Sequence, residues 1–468
     1  MSSKQRPRPL QSKPHSARKG SKVALPIKEQ KTDTANVGNR KGSKTIGSIK
    51  EKRADSRNVV DSFPDELLIT LFAYLDAGDL LVASRVCHRW LQVSNDNTLW
   101  RKVAERYLPR GVRKKIGEPL EAPTQYWKKE CIKGSVTLRN QRAYNKLDTP
   151  DPFTFLPDRV KPNLEKLGVI YTLAFFDRSG SHHYIRADDI FYHRMSVTAR
   201  WYNFGELPTP ARLQSLKLLA LNPVFYDHKG VACRNSPCQR SLLCQMDFDW
   251  SELTKQTPLG SDSAVDLFRL ANGLVVAAWK DGGGLAFVAG NLPYHNLIDR
   301  CLKGSFKATH TCQPGALVSD PAYRRFGLND YSATFELRTQ RQSIWSEQFR
   351  TLNKDPSGNT LIAIRSDRVH QHSPLERDIE LPWKTDLFKN KTRNVCIMDA
   401  MVRDTNGRVV LAVSEFVHSS ADEKAKVTYD YEGQGRSISL TKGLASILLL
   451  IDKDSLNKQV ISSLTISL

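Results

Sequence analysis

The sequence predicts an α+β multidomain chain, with a disordered basic N-terminal tail, a small all-α helical unit, and a β-rich antiparallel domain built as a sandwich or a barrel. Three observations carry this. Residues 1–57 hold 16 Lys and Arg against 4 Asp and Glu and are rich in Ser and Gly, a composition that cannot bury enough apolar surface to offset the entropy of ordering. Residues 58–108 crowd large apolar side chains at helical spacing. From residue 160 to 468, short apolar runs alternate with turn residues at a spacing of roughly ten, the pattern of hairpin-connected strands.

Composition bounds the function classes. With 468 residues, 40% hydrophobic and 25% charged, the chain can bury a sizeable core, which excludes disorder throughout. No fixed-period repeat occurs, which argues against solenoids and simple propellers. The eight cysteines are scattered and no charged-then-apolar leader opens the chain, so reduced thiols in a cytoplasmic or nuclear protein are expected. The longest purely apolar run near the C-terminus, Ile447 to Ile451, is far shorter than the roughly 20 residues of a membrane helix, and no membrane partner is expected. The net charge of +21 would suggest nucleic acid if it were spread over the fold. Instead the tail and residues 101–146, with 13 Lys and Arg against 4 Asp and Glu, hold the whole excess. The tail also lacks the interleaved aromatics that single-strand binders stack bases on.

The elements of the helical unit follow in order. Asp61 and Ser62 offer capping oxygens, Pro64 suits a first turn, and Asp65 and Glu66 suit the positive end of a helix. Leu67, Leu68, Leu71 and Phe72 then fall at helical spacing, followed by Leu75. A break at "DAGD" restarts a second helix through Leu80, Leu81, Val82, Val86 and Cys87, and a third carries Trp90, Leu91 and Val93. After the capping cluster "SNDN", Leu99, Trp100, Val103, Ala104 and Tyr107 form an amphipathic stripe. Leu67 and Leu68, like Leu80 and Leu81, point about 100° apart on a helix. One face can therefore serve an internal core, and the other must dock onto this chain or onto another protein.

The stretch "FPDELLITLFAYLDAGDLLVASRVCHRWLQVSNDNTLWRKV" resembles the F-box family in its proline-acidic opening, paired leucines, "YLD" hinge and "VCHRW" helix. The resemblance implies a three-helix unit at 58–108 that inserts into the Skp adaptor, which sits on a cullin scaffold with a RING subunit and a ubiquitin-conjugating enzyme. Carried over by position, Phe63, Pro64, Leu67, Leu68, Leu71 and Leu75 would supply the adaptor-facing opening. Leu80, Leu81, Val86, Cys87 and Trp90 would divide between adaptor contacts and internal packing. Phe63 stands where the family more often has Leu. Cys87 is expected to be a small buried packing residue and not a nucleophile. Further along, "YWKKECI", "NPVFYD", "GLVVAAWKDGGGLAFVAGNLPYHNLIDR" and "WKTDLF" resemble, in the same order, segments of one F-box-only member of the family. The implied role is a non-catalytic substrate receptor of an SCF-type ubiquitin ligase, recruiting a protein substrate through its C-terminal domain.

In that domain, 160–468, "MSVTARWYN" alternates as a half-buried strand. "VIYTLAFFDRSGSHHYIRADDIF" reads as two strands across a Ser-Gly turn, and "GLVVAAWKDGGGLAFVAGNL" as two more across Asp281 to Gly284. Asn406-Gly407 gives the hairpin of "VCIMDAMVRDTNGRVVLAVSEF", and "KVTYDYEGQGRSISL" closes another. "TPARLQSLKLLALN" is expected as a helix started by Pro210. A basic helical connector, 109–159, bridges the two parts.

Other chemistry is weaker. Cys233, Cys238 and Cys244 near His228 are spaced more loosely than the pairs a structural zinc prefers, so free thiols and no metal are expected. The glycines at 282–284 lack a following helix to face a phosphate. His182 and His183, like Asp188 and Asp189, alternate across a strand and cannot converge. No nucleophile motif occurs. No catalytic residue and no cofactor are therefore expected. The alternative reading is a nucleic-acid-associated protein using its basic tail and connector, with the F-box as a regulatory handle. A third is a scaffold whose helices pack only on their own sheet.

Overall fold

The computed structural model describes residues 62–147, 159–311, 331–352, 360–384, 389–421, 430–431 and 435–468, apart from positions 118, 120, 206, 228, 234 and 406. The basic tail, Asp61, His228, Cys312, Asn406 and most of "KVTYDYEGQG" lie outside these residues.

Four helices, α1 (Asp65–Phe72), α2 (Ala77–Ala83), α3 (His88–Ser94) and α4 (Asn97–Tyr107), occupy the predicted stretch. Aspartates start two of them: the Asp76 carboxylate accepts from the Asp79 N–H at 2.8 Å and Asp96 from the Thr98 N–H at 2.7 Å. Pro64 is the N-cap of α1 and no side chain caps that end, which leaves Asp65 and Glu66 to balance the exposed N–H groups. A short α5 (Arg110–Arg113) leads to α6 (Tyr126–Tyr144), the connector, which packs along α4. Leu68, Phe72, Leu80, Leu99, Trp100 and Val103 form a core with Cys131 of α6. That core also takes in Val224 and Phe225, from the distant β-rich region.

After α7 (Val160–Leu167), closed by Gly168 in the left-handed region, the chain becomes strands. In order these are β1 (Ile170–Asp177), β2 (His182–Arg186), β3 (Asp189–Tyr192), β4 (Ser196–Trp201), β5 (Leu213–Pro223), β6 (Cys238–Asp247), β7 (Gly260–Ser261), β8 (Val265–Arg269), β9 (Leu274–Trp279) and β10 (Leu285–Pro293), with α8 (Trp250–Lys255) after β6 and α9 (Leu297–Lys303) after β10. They form a four-stranded sheet of order β2-β1-β5-β6 facing a six-stranded sheet of order β3-β4-β10-β9-β8-β7, with antiparallel pairing throughout. Leu173, Phe175, Leu216 and Leu218 of the first sheet meet Val197, Trp201, Val276 and Val288 of the second.

The remaining strands are β11 (Tyr331–Arg338), β12 (Ser343–Leu352), β13 (Thr360–Ile364), β14 (Ser373–Pro374), β15 (Glu380–Lys384), β16 (Lys389–Arg393), β17 (Val395–Asp404), β18 (Val409–Ala421), β19 (Arg436–Lys442), β20 (Ala445–Lys453) and β21 (Gln459–Ser467). Eight of them run β12-β11-β17-β18-β19-β20-β21-β13, with β14 paired to β21 and β15 to β16 apart, and the end strands β12 and β13 come together, so the sheet is a nearly closed barrel around Phe335, Met398, Val417, Leu449 and Leu464. Along β9 the parity of the residue decides its layer: Val276 faces the sandwich core, whereas Val275 and Ala277 face Trp383, Val395 and Ile397 on the barrel side. The middle sheet is thus covered on both faces.

Three strand-level expectations change, the first being "VIYTLAFFDRSGSHHYIRADDIF", which holds β1, β2 and the start of β3 in the other sheet instead of two strands. "TPARLQSLKLLALN" is a single 3-10 turn, Pro210–Arg212, followed by β5, which pairs with β1 and β6. Its leucines mimic helical spacing because β5 is apolar on both faces: Leu216 and Leu218 enter the sandwich core, and Leu219 packs with Ala174 and Leu242 on the outer side. β4 is buried on both faces, not one. Ser196 and Thr198 face the barrel, where Arg338 donates to the Asp399 carboxylate at 2.7 Å, to Ser196 Oγ at 2.7 Å and to Thr198 Oγ1 at 3.1 Å. Gly273, at φ +76°, opens β9 where a Cβ would fall 2.5 Å from the Asn291 carbonyl oxygen and 2.9 Å from that of Ser414.

Candidate functional site

Helix α1 divides its apolar residues between two faces. Leu68 and Phe72 are buried in the helical core, with Leu68 only 1% exposed. Leu67 and Leu71 point outward, at 41% and 46% exposed, and Pro64 stands exposed ahead of them. Phe63, Leu75, Leu81 and Trp90 are half-buried against the core, and Leu80 lies fully inside it. Trp90 packs edge-on against Phe72 with centroids 5.1 Å apart, and so fastens α3 to α1.

Polar contacts hold this face in shape. Arg89 of α3 pairs with Asp65 at 2.8 Å and donates to the Phe63 carbonyl, fixing the first turn of α1. Arg106 of α4 donates to the carbonyls of Ala73 and Leu75 at 3.1 and 3.0 Å, satisfying the other end of α1. On the opposite side, Trp100 donates its Nε1–H to the Ser94 carbonyl at 2.8 Å, and Lys128 lies 5.6 Å from its ring centre. Burial lowers the Lys128 pKa, and burial together with Asp76 pushes the Tyr107 hydroxyl up to about 12.

Val86, 60% exposed, and Cys87 continue the outward surface at the turn into α3. Cys87 is not a buried packing residue: it is the N-cap of α3, its sulfur accepting from the Trp90 N–H at 3.4 Å. Three further apolar side chains lie on the outside: Tyr74, 84% exposed, and Val82 and Leu91. The signal for them was the second apolar face of each helix, read without knowing which of two neighbours turns inward.

Residues 60–106 match the model of the F-box-like family. The helical unit is an F-box. Beyond it, the chain is 28% identical over 363 residues to F-box only protein 15 of Macaca fascicularis, covering 74% of this chain and 83% of that protein. With F-box only protein 15 of Homo sapiens it is 28% identical over 367 residues, 75% of this chain and 71% of that protein. F-box/LRR-repeat protein 12 of Homo sapiens is 48% identical over 42 residues, 9% of this chain and 13% of that protein. The likeness to F-box only protein 15 therefore extends far past the F-box.

The other candidate chemistries disperse. Cys238 and Cys244 lie on β6 and Cys233 in the loop before it, and among the described residues no three His, Cys, Asp or Glu side chains cluster as metal ligands. Burial pushes the thiols of Cys131, Cys244, Cys301 and Cys396 up to about 12, which keeps them protonated and poorly nucleophilic at neutral pH. His182 packs against Phe176, whereas His183 approaches Asp177 at 3.4 Å. Asp188 accepts from the N–H groups of Tyr202 and Asn203 and serves the backbone. No helix among the described residues is long and apolar enough to cross a membrane.

Proposed function

We propose that this chain is a substrate receptor of an SCF-type ubiquitin ligase. Its F-box docks on the Skp adaptor, its β-rich region recruits a protein substrate, and it performs no bond chemistry itself. F-box proteins are adaptors of such ligases, and this chain carries an F-box at 60–106. The observation that carries the reading is the outward apolar surface of the F-box, with Leu67, Leu71 and Val86 exposed in a unit whose core is already filled by Leu68, Phe72, Leu80 and Trp100. A receptor of this kind accelerates ubiquitin transfer by holding substrate and charged enzyme together, so rate comes from effective concentration.

The face on which the adaptor sits is proposed to be Phe63, Pro64, Leu67, Leu71 and Leu75 from the opening segment, with Leu81, Val86 and Cys87. Leu68, Leu80 and Trp90 act behind it by holding the helices in register. The test is binding of purified full-length protein to the Skp adaptor, beside a Leu67→Asp/Leu71→Asp variant checked for fold by circular dichroism. Stoichiometric binding by the wild type, weakened by about a hundredfold or more in the folded variant, is expected, since central apolar anchors each carry about 2 kcal/mol or more of an interface. A well-folded wild type that does not bind would withdraw the reading.

A further inference from the structure

A groove of about 690 Å³ opens where α6, α7 and the loop after β5 meet, beside the end of α4. Its walls are apolar at Leu138, Val224, Phe225 and Val231, and Val231 is 61% exposed although nothing polar requires it there. Its rim is basic: Arg142 from α6, Lys146 just past its end, Lys166 from α7 and Lys229 from the loop, with Glu165 the one acid among the described residues of the lining. Arg139, deep in the wall, donates to the carbonyls of Asn222 and Pro223 and to Gln239 Oε1, all neutral acceptors. Among the described residues no carboxylate forms an ion pair with any of these five cations.

The groove is built on fixed supports. Tyr226 donates its hydroxyl to the Leu167 carbonyl at 2.9 Å, tying the loop to the end of α7. Asp227 Oδ1 accepts from the N–H groups of Lys229 and Val231, both at 2.9 Å, and Gly230 takes φ +77°, so the turn presents a cation and an apolar side chain side by side. Four rim cations around an apolar floor complement a short segment that is acidic with an apolar anchor. The chain's own N-terminal tail is strongly basic and would be repelled there.

We infer that this groove captures an acidic peptide segment carrying a large apolar side chain, the anchor entering between Phe225 and Val231 and the carboxylates meeting Arg142, Lys146, Lys166 and Lys229. The segment is a substrate's recognition motif only insofar as the chain is a substrate receptor; the binding itself stands apart from that reading.

The experiment is fluorescence anisotropy of a labelled peptide of glutamates interrupted by one phenylalanine, titrated with full-length protein. Controls are the same peptide with glutamines and an Arg142→Glu/Lys166→Glu/Lys229→Glu variant. These three side chains are exposed rim residues, so the variant should keep its circular dichroism spectrum and its adaptor binding. Saturable binding that falls about tenfold or more in the variant and in the glutamine peptide, and weakens from low to physiological salt, is expected, tenfold being about 1.4 kcal/mol. Equal binding by the variant or by the glutamine peptide would overturn the inference. So would displacement of the peptide by single-stranded RNA that is itself lost in the variant. Binding gained only when residues 148–158, which carry Asp148, Asp151, Asp158 and two phenylalanines, are replaced by Gly and Ser would make the chain its own occupant and overturn it too. Adaptor binding is read on the same samples, so a failure of the ligase reading with peptide binding intact, or the reverse, is seen separately.

Discussion

Arg338 and Asp399 are both fully buried, 2.7 Å apart, between the six-stranded sheet and the barrel. Neither charge could stay there alone, because removing an ion from water costs several kcal/mol that only a close partner and filled hydrogen bonds return. Here Ser196 donates to Asp399 Oδ2 at 2.6 Å and Ser414 to Oδ1, while Arg338 reaches Thr198 and the Thr339 carbonyl as well. Asp399→Ala should therefore lower unfolding free energy by about 3–5 kcal/mol in urea denaturation, since it strands the guanidinium. A double variant, Arg338→Met/Asp399→Leu, should recover most of that loss. Equal losses in the single and double variants would show that the pair is not what the site depends on. None of this could be read from the sequence, because Ser196, Thr198 and Arg200 alternate with Val197, Ala199 and Trp201 just as the wet face of an edge strand would.

On the scale of elements, α1 makes the sharpest claim. Leu67 and Leu68 are neighbours of one type, yet one faces out and the other is buried. Leu68→Ala should cost about 2–5 kcal/mol, the range for a buried leucine, and shift the thermal midpoint downward. Leu67→Ala should leave stability within about 0.5 kcal/mol while weakening adaptor binding, which calorimetry and a binding titration on the same proteins would separate. The helices themselves were legible because caps, breaks and apolar stripes are local signals: Asp76, the "DAGD" break and Asp96 mark real ends. Hairpins were legible for the same reason, with β9 and β10 joined through Asp281 to Gly284. β5 was not, because a strand apolar on both faces places Leu216, Leu219 and Ala220 at the intervals of a helix and its partners, β1 and β6, lie elsewhere in the chain. The basic groove was missed too: Arg142, Lys166 and Lys229 sit on three separated segments, and only the fold makes them neighbours.

Across the whole molecule, the decisive contact is the one joining the F-box to the β-rich region. The second apolar face of the helices had two candidate occupants in the sequence, this chain or another protein, and this chain covers part of it through Val224 and Phe225. Phe225, from the loop after β5, lies 6.3 Å from Trp100 and 5.5 Å from Tyr107 between ring centres, and Arg139 of α6 holds the backbone beside it through Asn222 and Pro223. Phe63–Leu468 accordingly forms one compact unit, which carries the outward face of Leu67 and Leu71. On the proposed receptor reading a firm joint matters, because a loose one would lower the effective concentration of substrate at the charged enzyme. Phe225→Ala should remove about 3–5 kcal/mol of packing at this joint. In scanning calorimetry the wild type is expected to unfold in one main transition, and the variant in two, with the helical unit melting first. An isolated fragment of residues 58–108 should be poorly folded for the same reason, since Trp100 and Val103, both fully buried in the chain, would lose α6 and Phe225 as cover. A Phe225→Ala protein that still melts in a single transition near the wild-type midpoint would mean that α4 and α6 alone carry the joint.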